Sequence, residues 1–329
     1  MAREAWLEGA ALWANPSSPH RAGRAARAAL EDARERVKAA LGWAGEIVFT
    51  SGASEALALA LSASKAPLVA VSPVEHEAVL RHATKAERLP VDSFGRVVPE
   101  AAGKAGLVAV QQVNSETGVI QPIDAVSNAV RATGGVLLAD CAQGAGKLAL
   151  PHADLIALAA HKFGGPIGIG ALLVRDWALL HPEGGQERGY RGGTENLPGV
   201  LAMAAALEAG NAWLGEAARL RTTLEEGIIA SGGEVIASGA ERIPGIGAYR
   251  MAGKPSAVQL IRFDGLGIAV SAGSACSSGS LRNSHVLEAM AYPHPQEVIR
   301  VSIGRETGEV EIARFLDAWR DISGNGAQA

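Results

Sequence analysis

The sequence predicts an α/β protein, and two observations carry the prediction. Short, continuous apolar runs recur at 47–49, 68–71, 107–110, 136–139, 155–159 and 171–174, with helical or loop segments between several of them. None of the runs alternates apolar with polar residues. Each therefore fits a strand buried on both faces, and such strands build a mostly parallel sheet. The length, 329 residues, suits two domains, one large and one small, each with its own core.

Taken in order, the first element is a helix over 19–41. Ser18 is its N-cap, Pro19 suits the first helical position, and alanines and leucines follow at helical spacing. The run Ile47-Val48-Phe49 ends in Thr50-Ser51-Gly52, and Glu55–Leu61 resumes a helical pattern. After Pro198 one long helical stretch reaches Ser231, where Gly232-Gly233 stops it. Strand-like pieces follow near 234–237, 246–251, 257–263, 268–271 and 298–303, then a final helix near 309–322. Strands closed by a helix suggest a smaller α+β domain. The large domain is thus expected over 12–205, and the small one over 206–329 together with residues 1–11.

Composition narrows the function. The formal net charge is -4, so no broad positive field draws nucleic acid or an anionic membrane. Basic residues are densest in 20–38, but acids are interleaved: Glu31 can pair with Arg34, and Asp32 with Arg36. That stretch reads as a solvated helix face. No run reaches the roughly 18–20 apolar residues of a membrane span, and the N-terminus lacks the pattern of a signal peptide. With only two cysteines, Cys141 and Cys276, a disulfide framework or a cysteine-rich metal site is not expected. A reducing cytoplasm is the default setting, with Cys276 a free thiol.

Ligands collect at the carboxyl ends of strands in an open parallel sheet, so the residues after each run carry the chemistry. Asp140-Cys141-Ala142-Gln143 follows 136–139. Ala160-His161-Lys162 and the glycine-rich Gly164–Gly170 follow 155–159. Ser51-Gly52-Ala53-Ser54 follows 47–49 and opens a helix. An acid, a lysine and a Gly/Ser turn at a helix start are the three parts of a pyridoxal phosphate site. The amine condenses with the aldehyde, the carboxylate keeps the ring nitrogen protonated, and helix-start N–H groups bind the phosphate.

Asp140-x-x-Gln143 followed by His161-Lys162 and a glycine-rich run resembles the class V aminotransferases, and specifically their cysteine desulfurases. Further strings match along nearly the whole chain. They are Asn15-Pro16-Ser17-Ser18-x-His20, Phe49-Thr50-Ser51-Gly52-Ala53-Ser54-Glu55, Val74-Glu75-His76-x-Ala78-Val79 and Glu116-Thr117-Gly118. Gly184-Gly185-Gln186-Glu187-Arg188-Gly189-x-Arg191-x-Gly193-Thr194 and Ser271-x-Gly273-Ser274-Ala275-Cys276 complete the set. The resemblance implies the type I fold of pyridoxal phosphate enzymes, a mostly parallel sheet flanked by helices, and a homodimer.

By the same resemblance, Lys162 holds the cofactor aldehyde as an imine and moves the substrate's α-proton. Asp140 pairs with the ring nitrogen, Gln143 bonds the phenolic oxygen, and His76 stacks on the ring. Ala53, Ser54 and His161 contact the phosphate, joined by Thr194 from the partner subunit. Asn114 and Ser115 touch substrate, Ser115 also cofactor, and Arg300 clamps the substrate carboxylate. Cys276 is the nucleophile that takes sulfur from L-cysteine, leaving alanine, and passes it to an acceptor such as an iron–sulfur scaffold. Cys141 reads as a small buried residue.

Two residues depart from the family pattern: Ser115 stands where a second asparagine is usual, and Ala159 where a phosphate-binding serine is usual. The N-terminal segment and region 62–106 are also short. These departures leave two other readings open: a related enzyme, such as a selenocysteine lyase or an aminotransferase, or a catalytically weak partner subunit.

Overall fold

The computed structural model describes residues 1–273 and 283–324, and the chain divides into two compact units. Cys276 lies outside the described residues. The first unit holds 1–89, 99–112 and 122–211; the second holds 90–98, 113–121 and 212–329.

The helices of the first unit are α1 (Ala2–Ala11), α2 (Arg21–Leu41), α3 (Ala53–Ala63), α4 (Glu77–Leu80), α5 (Ile123–Ala132) and α6 (Leu197–Glu208). Its strands are β1 (Glu46–Thr50), β2 (Leu68–Val71), β3 (Glu87–Arg88), β4 (Leu107–Gln111), β5 (Val136–Asp140), β6 (Leu155–Ala159) and β7 (Gly170–Val174). They form one sheet in the order β1-β7-β6-β5-β4-β2-β3. Only β7 runs against its neighbours, β1 and β6; every other pair is parallel. All five residues of β4, β6 and β7 are buried, which is why these strands read as unbroken apolar runs. Alanines and leucines of α3 (Ala56, Leu57, Ala60, Ala63) share one core with Val48, Leu138, Ala157 and Leu172 of the sheet.

The second unit contains a three-stranded antiparallel sheet, β8 (Glu234–Val235), β9 (Ile246–Arg250) and β10 (Val298–Ser302), in the order β10-β9-β8. Its helices are α7 (Leu214–Ala230), α8 (Ser256–Gly265), α9 (His285–Ala289) and α10 (Glu309–Ser323). Trp319, Phe263, Tyr249 and Ile299 lie in its core, and the rings of Phe263 and Phe315 stack at 5.0 Å.

Several local expectations change. The helix expected from residue 19 begins at Arg21, capped by His20 instead of Ser18. The His20 Nδ1 accepts the Gly23 N–H at 3.1 Å and so supplies one of the acceptors that a helix start lacks. The long helix after Pro198 is two helices, α6 and α7, interrupted at Gly210, whose φ of 68° lies in the left-handed region. The piece at 257–263 is helical: Gln259 and Phe263, four residues apart, are buried while Ile261 is 73% exposed. Residue 271 makes only a single bridge to Arg300.

The domain limits differ too. Residues 1–11 fall in the first unit, because α1 packs on α6 so closely that a Cβ on Gly9 would meet Pro198 Cα at 2.7 Å. Segments 90–98 and 113–121 belong to the second unit. There Gln121 ties them together, accepting the Val97 N–H and donating to the Gly95 carbonyl, both at 2.9 Å.

Candidate cofactor site

Register in the first sheet brings the candidate residues to the carboxyl ends of its parallel strands. Gly170 opens β7 opposite both Thr50, the end of β1, and Ala159, the end of β6. Asp140, the end of β5, pairs with Gln111 on one side and Ala157 on the other. Four chain reversals carrying Ser54, Lys162, Asp140 and His76 therefore leave the sheet at one end.

The turn after β1 is held by its own donors and acceptors. Thr50 Oγ1 donates to the Gly52 carbonyl at 3.0 Å. The Ser51 N–H donates to Glu55 Oε2, and Arg191 Nε to Glu55 Oε1 at 2.7 Å. Among the described residues no side chain caps α3, so its first N–H groups, at Ala53 and beside the exposed Ser54, are placed to receive an anion. Gly170 permits this packing: a Cβ there would stand 2.6 Å from Gly52 Cα.

After β6 a single 3₁₀ turn, Ala160–Lys162, ends when the Phe163 N–H returns to the Ala160 carbonyl at 3.1 Å. His161 and Lys162 are exposed at its tip. The chain then turns through Gly164 and Gly168, at φ 93° and 77°, which accounts for the glycine-rich run. Burial and the Lys162 charge push His161 below its ordinary value.

Asp140 is 7% exposed, and its Oδ1 accepts the Ala142 N–H at 2.9 Å. Burial pushes its carboxyl up, while the Ala142 N–H, His76 and Lys162 favour the anion. The last two thus lie near enough to act on its charge. Burial also raises Cys141 well above the ordinary thiol value, with Asp140 and Glu75 adding to the effect, so its sulfur stays protonated and inert. In the turn that follows, Gln143 is half-buried, and its carbonyl accepts Lys147 Nζ at 3.0 Å. Burial and the Lys162 charge lower the Lys147 amine to about 8.

His76 caps the short α4, its Nδ1 accepting the Ala78 N–H at 3.1 Å. This bond places the proton of the neutral ring on Nε2. The preceding Glu75 is 1% exposed, and its Oε1 accepts the Gln111 N–H at 2.6 Å.

Thr194 is exposed at the end of segment 183–194, which is pinned through Glu187. That carboxylate accepts both terminal nitrogens of Arg34 and the Phe49 N–H. Arg34 is 2% exposed, so the basic stretch 20–38 is not solvated throughout. Arg34 does pair with Glu31, at 3.0 Å, but its main partner lies 153 residues away, where no local spacing can reveal it.

The remaining candidates belong to the second unit. Asn114 Oδ1 accepts the Glu116 N–H and the Thr117 N–H, both at 2.9 Å, and the Thr117 hydroxyl at 3.1 Å. Its oxygen is committed to a turn. Arg300 Nη1 donates to the Ser115 carbonyl at 3.0 Å, and Ser284 Oγ donates to Glu116. Arg300, Glu116, Thr117 and Leu287 line a small cavity.

Within the first unit the donor set fits pyridoxal phosphate: an uncapped helix start and hydroxyl for the phosphate, a lysine at a strand end, and a buried carboxylate for a cationic ring nitrogen. Comparison with known proteins agrees. A cysteine desulfurase of Cereibacter sphaeroides is 36% identical over 338 residues, covering 92% of this chain and 87% of that protein. One of Klebsiella pneumoniae is 35% identical, with 92% and 83% covered. A solved structure of a NifS-like protein superposes with a TM-score of 0.89 at 30% identity, covering 98% of this chain and 95% of that one. The model of the aminotransferase class-V family matches residues 9–315, and the chain belongs to that family.

Proposed function

We propose that this chain is a pyridoxal-phosphate-dependent cysteine desulfurase that takes sulfur from L-cysteine onto Cys276 and hands it to an acceptor. The observation that carries the reading is the strand register that brings the ends of β1, β5 and β6, and with them the Ser54 turn, Asp140 and the Lys162 turn, to one end of the sheet. The named relatives support the choice of substrate.

Bound pyridoxal phosphate supplies an electron-accepting ring that stabilises negative charge on the substrate's α-carbon. Asp140 would hold the ring nitrogen in its cationic form, Gln143 would bond the phenolic oxygen, and His76 would pack against the ring. The Ala53 N–H, Ser54 and His161 hold the phosphate. Thr194 does so from the other subunit of a homodimer. Lys162 Nζ would hold the cofactor until the substrate amine displaces it, and the freed amine would then take the proton from the substrate's α-carbon. Arg300 binds the substrate carboxylate, and its bond to the Ser115 carbonyl aims the guanidinium; Asn114 acts by shaping that turn. As a thiolate, Cys276 attacks the substrate sulfur: an S–S bond forms and the C–S bond breaks. The sulfur stays on Cys276 as a persulfide, and the carbon skeleton takes up a proton and leaves as alanine. An iron–sulfur scaffold is a fitting acceptor, and a reducing cytoplasm keeps Cys276 competent.

The test is product release from cysteine in the presence of a reductant. Alanine and sulfide are expected in equal amounts, and Cys276→Ala should stop both while the protein stays yellow. Turnover retained in that variant overturns the nucleophile. A coloured protein that releases sulfur only from another substrate is instead a related enzyme of the family. One without turnover on any substrate is a partner subunit.

A further inference from the structure

Two carboxyl groups are buried side by side at the ends of β4 and β5, and the function described above uses only one. Asp140 closes β5, and Glu75 reaches the end of β4 through the Gln111 N–H. Gln111 and Asp140 are register partners, and the Gln112 N–H donates to the Asp140 carbonyl at 2.9 Å. Gln111 also returns its side-chain amide to the Val74 carbonyl. The segment ahead of His76 is thus stitched to β4 by two hydrogen bonds, and one of them ends on Glu75.

We propose that Glu75 is a positioning residue of the cofactor site: as a neutral acid it fastens the His76 segment to the end of β4 and leaves the negative charge of the buried pair on Asp140. The proposal rests on the reading of Asp140 and Lys162 as a pyridoxal phosphate site.

Electrostatics assign the proton. Two carboxylates sharing one buried site do not both ionise. Burial raises Asp140 as well, but the Ala142 N–H and the His76 and Lys162 charges oppose it there, whereas at Glu75 the Gln111 N–H opposes burial and the Asp140 charge adds to it. Around Glu75 stand Gln111 from β4, Asp140 and Cys141 from the end of β5, and His76 next in the chain. Burial and the Asp140 charge push its carboxyl well above the usual range. A neutral carboxyl offers a donor on one atom and an acceptor on the other, and a carboxamide keeps both and adds one N–H, so glutamine is a close replacement. A leucine is of similar size and offers neither.

The experiment uses the full chain, stripped of cofactor and titrated with pyridoxal phosphate, alongside a pH titration of the bound cofactor's visible absorbance. Glu75→Gln should bind within about threefold of wild type and keep the pH midpoint, because the Gln111 N–H keeps its acceptor. Glu75→Leu should bind about tenfold more weakly, the loss expected when a buried N–H is left without an acceptor. If Glu75→Leu does not fold, Glu75→Asp replaces it: one methylene shorter, it should also bind about tenfold more weakly. A pH midpoint lowered by about one unit or more in Glu75→Gln would mean that an anion had been removed, and the proposal fails. It fails too if Glu75→Leu (or its aspartate substitute) loses thermal stability but binds cofactor like wild type. Should wild type itself not bind pyridoxal phosphate, the parent reading fails instead.

Discussion

Glu187 takes both terminal nitrogens of Arg34 at 3.0 Å, and the oxygen facing Nη1 also accepts the Phe49 N–H at 2.8 Å. Arg34 Nη1 donates onward to the Ile47 carbonyl at 2.7 Å. One ion pair thereby joins α2, strand β1 just before the Ser51–Ser54 reversal, and the segment that leads to Thr194. Glu187 and Arg188 hold φ of 45° and 58°, left-handed values that non-glycine residues adopt only when the surroundings impose them.

The pair is buried, so removing one member strands the other's charge. Arg34→Met or Glu187→Leu should each lower the unfolding free energy by about 3–5 kcal/mol. The double variant should recover part of that loss, although the Phe49 N–H stays without its acceptor. Urea denaturation of the three proteins checks this. Additive losses in the double variant would mean that the two side chains do not act as a pair.

Glu55 gives a pH signature. Burial raises its carboxyl, but Arg191 and the Ser51 N–H outweigh that and leave it below its ordinary 4.5. A depressed carboxyl stabilises the fold at neutral pH, and the contribution is lost as pH falls through the folded-state value. Glu55→Gln should therefore be less stable than wild type near neutrality and lose less stability than wild type between about pH 6 and about pH 3. Parallel denaturation curves over that range would contradict the assignment.

Gly170 is needed for contact and not for its backbone angle. An added Cβ would press on Gly52 Cα at 2.6 Å and on the Leu158 carbonyl. Gly170→Ala should cost about 1–3 kcal/mol of stability and weaken cofactor binding, since the displaced turn carries Ala53 and Ser54. Chemical denaturation and cofactor titration read the two effects; unchanged cofactor binding would separate Gly170 from the site.

Much of this was legible in the sequence, for identifiable reasons. β6 and β7 are buried on both faces, so burial alone decides their composition, and their extents follow from the apolar runs. Asp140 and Lys162 follow from the next question, what lies at each strand end. α8 was not legible as a helix. Ala257, Val258, Leu260, Ile261 and Phe263 are apolar on nearly every position, and only burial shows that the inward pair, Gln259 and Phe263, has helical spacing. Arg34 misled for the opposite reason: its neighbours Glu31, Asp32 and Arg36 are those of a surface helix, and its deciding partner is distant in the chain. Glu75 lay in a recognisable string, but its burial beside Asp140 depends on how β4 and β5 pair.

On the proposed function, pyridoxal phosphate is attached covalently to Lys162 beside the Asp140 carboxylate. Borohydride reduction of the yellow protein, followed by peptide mass mapping, tests it most directly. Loss of the visible band is expected, with a single reduced pyridoxyl group on the peptide containing Lys162. A label on Lys147, whose amine is lowered to about 8, or no label at all, would contradict it.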